Sequence, residues 1–287
     1  MTQLQTLHGA LDDMLGGMID AGSHFTDHAV HVTRKTLKRA RAALRLMKAA
    51  MGAAAYRSVN QQLRDAARPL TSVRDAVALL DALKTTRKSR DNKRLKLYAG
   101  LVHRALLNAH RRDREDLTGG TLRFTGEKLR AVDLTIARTS GNKTDAASAW
   151  RGLKKTFRSG RKAFSKARKH PSVALLHEWR KQAKYLANEI ELAEQIGLLK
   201  LKKQRRLAGR LGEVLGVDHD LALLSARLRV LSRDEIPGCG SQRKRFEQRI
   251  KRKRGKLQQK AQRLGDRLYG APVAKFNRSL KKRLVRA

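Results

Sequence analysis

The chain has 287 residues, and its 66 Lys and Arg against 25 Asp and Glu give a formal net charge of +41. Hydrophobic residues make up 40% of the chain, which is enough for a buried core and excludes wholesale disorder. Because so large a positive charge attracts polyanions, the expected partner is a nucleic acid, an anionic membrane surface or a phosphate polymer.

The cysteine content and the amino-terminal residues exclude several further classes. The single cysteine, Cys239, cannot form an intrachain disulfide, and no paired Cys and His spacing is typical of a zinc site. Residues 1–20 lack the basic segment of a signal peptide, and no stretch of about 18 apolar residues is available to span a bilayer. The sequence therefore predicts a cytoplasmic protein with no membrane span.

Hydrophobic periodicity predicts helices along the whole chain, separated at glycine and proline residues. No segment shows sustained alternation of apolar and polar residues, and aromatic residues make up only 4%, so we predict an all-α fold. The predicted helices cover residues 3–20, 25–51, 55–68, 72–85, 89–115, 121–138, 145–168, 172–195, 199–214, 217–233, 241–268 and 272–286.

The second predicted helix, 25–51, carries two parallel stripes. Its apolar positions recur at steps of three and four from Val30 to Met51, which is typical of a buried helix face. A second series with the same steps begins one residue later and contains only cations and a histidine. A solvated helix face normally includes acidic residues that pair along the helix, so this face indicates anion binding. The second series consists of His31, Arg34, Lys38, Arg41, Arg45 and Lys48.

The same pattern returns later in the chain, where His177 follows His31 by 146 residues. Downstream, "LTSVRDAVALL" (70–80) matches "LGVDHDLALL" (215–224), which places Asp75 against Asp220. The sequence therefore predicts a tandem duplication of residues 1–142 and 143–287, giving two four-helix-bundle-like halves related by pseudo-twofold symmetry, with a link at 139–145. The other matched pairs are Arg34 and Arg180, Lys35 and Lys181, and Lys38 and Lys184.

These residues resemble the CHAD domain family, the conserved histidine α-helical domain. The pattern H-x-x-R-K-x-x-K occurs as "HVTRKTLK" and again as "HEWRKQAK", and each copy is followed by L-x-x-x-[RH]-D. The resemblance covers almost the whole chain and implies a single domain of two four-helix bundles. It implies that basic residues and two histidines line a central groove or pore that binds inorganic polyphosphate, and that the protein associates with polyphosphate granules. Many members follow a CYTH triphosphate-tunnel enzyme domain, for which the chain has no room before residue 25, so we expect a stand-alone, non-enzymatic binder.

A row of cations on a rigid helix suits polyphosphate, which is flexible and has no base edges to read. A helix presents one side chain per turn, about 5.4 Å apart, and Arg binds phosphate through a fork whereas Lys acts as a point charge. We expect a groove with unequal halves, because Ala187, Glu191 and Glu194 replace three cations of the first stripe. The polyphosphate-binding candidates are His31, Arg34, Lys35, Lys38, Arg41, Arg45, Arg74, His177, Arg180, Lys181, Lys184 and His219, and further candidates are Lys48, Arg57, Arg64, Arg206 and Arg210.

Three other constellations leave alternatives open. His24, His28 and His31 share a helix face and suit a metal ion, and His219-Asp220 resembles a metal phosphohydrolase motif without its other ligands. The basic segment 243–263 favours nonspecific contacts with nucleic acid. A nucleic-acid or nucleoid-associated binding protein is therefore the main alternative function.

We predict separate roles for the histidines and the aspartates of the repeated motif. His31 and His177 are expected to donate hydrogen bonds to phosphate, so that binding tightens as the pH falls from about 7 to 6. Asp75 and Asp220 are expected to anchor neighbouring groups or cap helices, because a lone carboxylate repels phosphate. We expect no catalytic residue, no metal and no cofactor, and the sequence predicts neither a chain-length preference nor an oligomeric state.

Overall fold

The computed structural model describes residues 27–116, 146–236 and 238–270, together with Phe124, Thr125, Lys128, Val132 and Phe276. Their regular structure is helical throughout, which confirms the predicted all-α class. Apart from those five single positions, the predicted helices 3–20, 121–138 and 272–286 and the link 139–145 lie outside the described residues. None of the described helices has the length and apolar character that crossing a bilayer requires. The helices are α1 (Asp27–Met51), α2 (Ala53–Ala67), α3 (Thr71–Thr86), α4 (Lys93–Glu115), α5 (Ala146–Lys169), α6 (Val173–Gln195), α7 (Lys202–Asp234) and α8 (Gly240–Tyr269).

Side-chain caps fix where two of the helices begin. The Asn92 side chain accepts a hydrogen bond from the Leu95 backbone N–H at 3.0 Å, and Ser172 accepts one from the Leu175 N–H at 3.2 Å. These bonds satisfy donors of the first turns of α4 and α6, which have no acceptor within the helix. The predicted start of α4 at residue 89 is therefore too early, whereas α6 begins within a residue of its prediction.

One predicted helix break is wrong. The sequence predicts separate helices over 199–214 and 217–233 with a break at Gly216, whereas α7 is continuous from Lys202 to Asp234. A Cβ atom at Gly216 would lie 3.3 Å from Arg180 Nε, and one at Gly212 would lie 2.7 Å from Lys184 Cγ. These glycines therefore allow two cations of α6 to pack closely against α7, and they do not end the helix.

Two hydrophobic clusters hold the helices together. The first is formed mainly by α1, α2, α5 and α6 with one end each of α7 and α8, and it includes Trp179 and Phe164, whose ring centroids are 4.9 Å apart. The second is formed by α3, α4, α7 and α8, and it includes Tyr98 and Phe246 at 5.5 Å. Each cluster combines helices from both predicted repeats, so the repeats do not form separate cores. The pseudo-twofold relation between the repeats stays a prediction.

The helices that carry the repeated motif are neighbours in space. Helix α1 packs against α6, and α3 packs against α7. The first pair carries the two copies of H-x-x-R-K-x-x-K, and the second pair carries the two copies of L-x-x-x-[RH]-D. The packing therefore brings both copies of the motif to one region of the molecule.

Candidate functional site

A groove with a volume of about 600 Å³ lies between α1, α3, α6 and α7, and we call it the central groove. Two pairs of residues that match between the repeats line it together: Arg34 with Arg180, and Lys38 with Lys184. The predicted convergence of equivalent cations on a shared cavity is therefore present in the fold. The charged and histidine residues of the lining are His31, Arg34, Lys35, Lys38, Arg39, Arg74, Asp81, Arg180, Lys184, Glu191, Glu213 and Asp220.

The two matched arginines are held by the protein but keep unused donors. Arg34 Nη1 donates to the Ala67 carbonyl oxygen at 3.3 Å and to Thr71 Oγ1 at 3.1 Å. The buried Nε atoms of Arg34 and Arg180 have no hydrogen-bond partner among the described residues. Burial, and then the charge of Arg74, lowers the pKa of both guanidinium groups, but an Arg side chain remains charged in proteins. Both therefore bring permanent positive charge to the groove, which both residues line.

The two matched lysines are strongly affected by their surroundings. Burial, followed by the charges of Arg34, Lys184 and Arg74, lowers the pKa of Lys38 to about 8. Although the Lys38 side chain reaches solvent, the walls of the groove remove enough water to disfavour its charge. Burial and the charge of Arg180 lower the pKa of Lys184. The groove therefore holds cations in mutual repulsion, and a bound anion would relieve that repulsion.

Arg74 is fixed in the groove by two aspartates. Its Nη1 donates to Asp75 Oδ1 at 2.8 Å, and its Nη2 lies 3.5 Å from Asp220 Oδ1. Burial raises the pKa of Asp220, although Arg74 and Arg180 oppose the shift. The contacts agree with the predicted anchoring role of the two aspartates, because each carboxylate orients Arg74 across the groove.

The histidines of the motif divide into two environments. His31 lines the central groove, whereas the rings of His177 and His219 lie outside that lining, 4.4 Å apart. Burial, followed by the charges of Arg180 and Lys181, lowers the pKa of His177. Burial and His177 lower the pKa of His219 to about 4. Near neutral pH both imidazoles of this pair are therefore neutral in the unliganded protein.

The basic stripe predicted along α1 does not face one groove throughout, and this expectation is corrected. Arg41 Nε donates to Asn60 Oδ1 at 3.1 Å. Arg45 Nε donates at 2.5 Å to Oε1 of Glu189, whose side chain is completely buried, and the Arg45 guanidinium lies 3.7 Å from the centroid of the Tyr185 ring. The stripe divides at Arg41 because the packing of α2 and α6 supplies partners for its second half.

The remaining candidates also lie away from the lining of the central groove. Lys181 pairs with Glu178 on its own helix, and Arg57 and Arg64 are exposed on α2. The other three line two further surface cavities, Lys48 at the carboxyl end of α1 and Arg206 and Arg210 at the amino-terminal half of α7.

Sequence reasoning missed one cation of the lining. Arg39 lines the groove, and its Nη2 donates to Gln195 Oε1 at 2.8 Å. The signal was present, because Arg39 follows Lys35 by four residues and therefore shares its helix face. The first half of the chain thus contributes most of the lining cations together with Asp81, and the second half contributes Glu191, Glu213 and Asp220. The lining is unequal in charge, but Arg41, Arg45 and Lys48, on which that prediction was based, are not part of it.

The predicted metal alternative at His24, His28 and His31 includes two side chains outside the described residues. Among the residues that the structure describes, no group of three or more His, Cys, Asp or Glu is placed to hold a metal ion. His219 and Asp220 accordingly do not form such a group with their described neighbours. Those neighbours include His177 and Asp75 as well as the cations Arg74 and Arg180.

Comparison with known proteins identifies the same family as the motif. The family model of the CHAD domain matches residues 5–229. Among solved structures, the crystal structure of the CHAD domain from the plant Ricinus communis is similar over 100% of this chain and 93% of that chain, with a TM-score of 0.63 and 16% sequence identity. At this identity the likeness concerns the fold alone. No curated protein matches the chain.

Proposed function

The chain belongs to the CHAD domain family, and we propose that it binds inorganic polyphosphate in the central groove without cleaving it. The observation that carries this proposal is the convergence of Arg34, Lys38, Arg180 and Lys184 on one cavity. These residues come from equivalent positions of the two repeats. Through this binding the protein would associate with polyphosphate granules in the cytoplasm.

The electrostatics of the groove favour an extended, highly charged anion. Because burial disfavours the charge of Lys38 and Lys184, the free groove is under electrostatic strain that neutralisation relieves. Polyphosphate supplies a negative charge at each unit and follows a curved path easily. The guanidinium groups of Arg34 and Arg180, which both line the groove, would then donate to phosphate oxygens, which are acceptors of short, charge-assisted hydrogen bonds.

Nucleic acid is the alternative ligand, and one surface favours it as a secondary partner. Helix α8 exposes Lys251, Arg252, Lys256 and Lys260 to solvent, and such a surface attracts any polyanion through counterion release. Base recognition requires side chains that read base edges or stack on bases, and the lining of the central groove contains one amide, Asn188, and no Phe, Tyr or Trp. We therefore expect nucleic acid to bind weakly and outside the groove.

A competition experiment tests the ligand. Labelled long-chain polyphosphate is bound to the protein and challenged with duplex DNA at equal concentrations of negative charge and at increasing salt. We expect polyphosphate to remain bound at salt concentrations that release DNA, because the groove desolvates the phosphate chain whereas the exposed surface does not. Displacement of polyphosphate by DNA at equal charge would contradict the proposal.

A second experiment tests the absence of catalysis. The complex is incubated with Mg²⁺ or Mn²⁺, and free phosphate and polyphosphate chain length are measured over time. We expect neither to change, because Asp75 and Asp220 are engaged with Arg74 and no group of three or more His, Cys, Asp or Glu among the described residues is placed to hold a metal ion. Release of phosphate that increases with protein concentration would identify an enzyme instead.

A further inference from the structure

A second cavity lies toward the carboxyl end of α1, between α1, α2, α5 and α6, with a volume of about 460 Å³. We call it the α1–α5 cavity. Lys48 is fourteen residues from Arg34, so the cavity lies about 20 Å along α1 from the central groove. Between the two, Arg41 donates to Asn60, and Arg45, which lines the α1–α5 cavity, is paired with Glu189. The α1–α5 cavity is therefore a separate feature and not the continuation of an open basic track.

The α1–α5 cavity brings two lysines together without a carboxylate. Lys48 and Lys155 both line it, and no Asp or Glu is among its lining residues. Burial lowers the pKa of Lys48, and the neighbouring Lys155 lowers it further. The Lys48 ammonium also lies 4.4 Å from the centroid of the Tyr56 ring. Two ammonium groups in such proximity repel each other, and an anion placed between them removes that repulsion.

The beginning of α2 adds further positive potential to the α1–α5 cavity. Gly52, with a backbone φ of 79°, precedes the first residue of α2, Ala53, and both residues line the cavity. Glycine adopts this left-handed conformation without strain, but it has no side chain to cap the first N–H groups of the helix. These N–H groups favour an anion at this end. The two lysines and the helix end therefore act on the same space.

One wall of the α1–α5 cavity, on the same side as Lys48, is partly apolar. Ala49 and the Tyr56 ring line it, the ring lies 4.4 Å from the Lys48 ammonium, and Tyr56 is half-buried. An inorganic phosphate chain would leave this wall without a partner, whereas an organic phosphate fills both parts of the cavity. The volume lies in the range of cavities that bind small ligands.

We propose that the α1–α5 cavity binds a small organic phosphate of the nucleoside di- or triphosphate class. The phosphates bind Lys48, Lys155 and the first turn of α2, and the nucleoside packs against Ala49 and Tyr56. This site is independent of polyphosphate binding in the central groove. A polyphosphate-binding protein with such a site would also respond to soluble phosphorylated metabolites.

Calorimetric titration of the full chain with ATP tests the proposal, with tripolyphosphate as the comparison ligand. The titrations use the Arg34→Glu/Arg180→Glu variant, in which the central groove is disabled. Any binding that is measured then occurs outside the central groove. We expect ATP to bind with higher affinity than tripolyphosphate, because only ATP uses the apolar wall. Equal or higher affinity for tripolyphosphate, or no measurable binding of ATP, would overturn the proposal.

A matched pair of variants locates the site. Lys155→Glu in the same background should weaken ATP binding about tenfold, the effect of losing one charge-assisted contact. Lys162→Glu makes the same change in net charge on the exposed face of α5, outside the cavity, and should leave ATP affinity unchanged. Equal weakening by both variants would show that ATP responds only to net charge. Circular dichroism of both variants confirms that the helices are intact.

Discussion

At the amino-terminal end of α1, Arg34 and Lys38 face the central groove among other cations, whereas Arg45, farther along, forms an ion pair with the buried Glu189. All three belong to one basic stripe in the sequence. Arg34 and Lys38 form no ion pair with a carboxylate of the described residues, and burial, followed by the charges of neighbouring cations, lowers their pKa values. Arg45 has its carboxylate, which also accepts a hydrogen bond from Thr156 Oγ1 at 3.1 Å. The comparison shows that one basic stripe can have two roles. Its cations stabilise the fold where a buried carboxylate pairs with them, and they are available to a ligand where none does.

The largest effect that this comparison predicts is on stability. Glu189→Ala should lower the free energy of unfolding by about 3–5 kcal/mol, because it leaves the Arg45 charge buried without its partner. Urea denaturation measures the loss. The control is Glu191→Ala, a partly exposed carboxylate on the same helix, for which we expect a change of less than about 1 kcal/mol. If the two variants unfold at the same urea concentration, Arg45 and Glu189 do not have the structural role assigned to them.

The next effect is on binding at the other end of the stripe. Arg34→Glu/Arg180→Glu should weaken polyphosphate binding about a hundredfold or more, since each arginine contributes about 1.5–3 kcal/mol to a charged ligand. Fluorescence anisotropy with labelled polyphosphate measures the affinity, and circular dichroism measures helical content, which should not change.

A double charge reversal outside the groove serves as the control for the change in net charge. Arg245→Glu/Arg252→Glu alters two exposed arginines of α8 and reduces the net charge by the same amount. We expect only a small loss of affinity from it. If this variant loses as much affinity as Arg34→Glu/Arg180→Glu, polyphosphate binds the surface as a whole and the central groove has no special role.

A single variant should separate stability from binding within the groove. Lys38→Met should raise the free energy of unfolding by about 1 kcal/mol at neutral pH after allowance for solvent screening, and it should weaken polyphosphate binding. The sign follows from the pKa of Lys38, which burial lowers to about 8 from 10.5. Because the folded protein disfavours this charge, the stability contribution of Lys38 is lowest below pH 8 and rises as the pH increases toward 10.5.

Chemical denaturation of wild type and Lys38→Met at pH 7 and pH 10 checks this sign. The stabilisation should shrink at the higher pH, where Lys38 of the wild type is largely neutral when folded. Lys35→Met, an exposed lysine on the same wall of the groove, should leave stability unchanged at both values. A destabilised Lys38→Met at neutral pH would show that packing of the Lys38 side chain outweighs the cost of its charge.

The sequence was sufficient to predict the helices that carry the matched motifs. The positions of α1 and α6, and the convergence of Arg34 and Arg180, follow from the apolar seam and the repeat. Features set by neighbouring helices could not be predicted in this way. A glycine such as Gly216 is typical of a helix break, yet it lies inside α7, where the absence of a side chain lets Arg180 pack closely against the helix. Glu189 follows the buried Ala43 by one repeat, and only the packed structure shows that Arg45 reaches it.

The smallest predicted effect concerns the histidine pair beside the groove. The pKa of His219 is lowered by burial, and then by His177, to about 4 from 6.5. The unfolded chain therefore binds a proton between these values more readily than the folded protein does. The contribution of neutral His219 to stability is complete above pH 6.5 and is lost progressively as the pH falls toward 4.

His219→Gln should reduce the loss of stability between pH 6.5 and 4 by about 1 kcal/mol, discounted for the partial exposure of the ring. His103→Gln, an exposed histidine of α4, should not alter the pH profile of the unfolding free energy. Polyphosphate should oppose the same loss in the wild type, because a nearby anion stabilises an imidazolium that the surrounding cations disfavour. Added polyphosphate could instead leave the shape of the wild-type pH profile of the unfolding free energy unchanged. In that case the His177 and His219 pair lies outside the electrostatic reach of the ligand. His31 is then the histidine of the motif that remains a candidate for contact with phosphate.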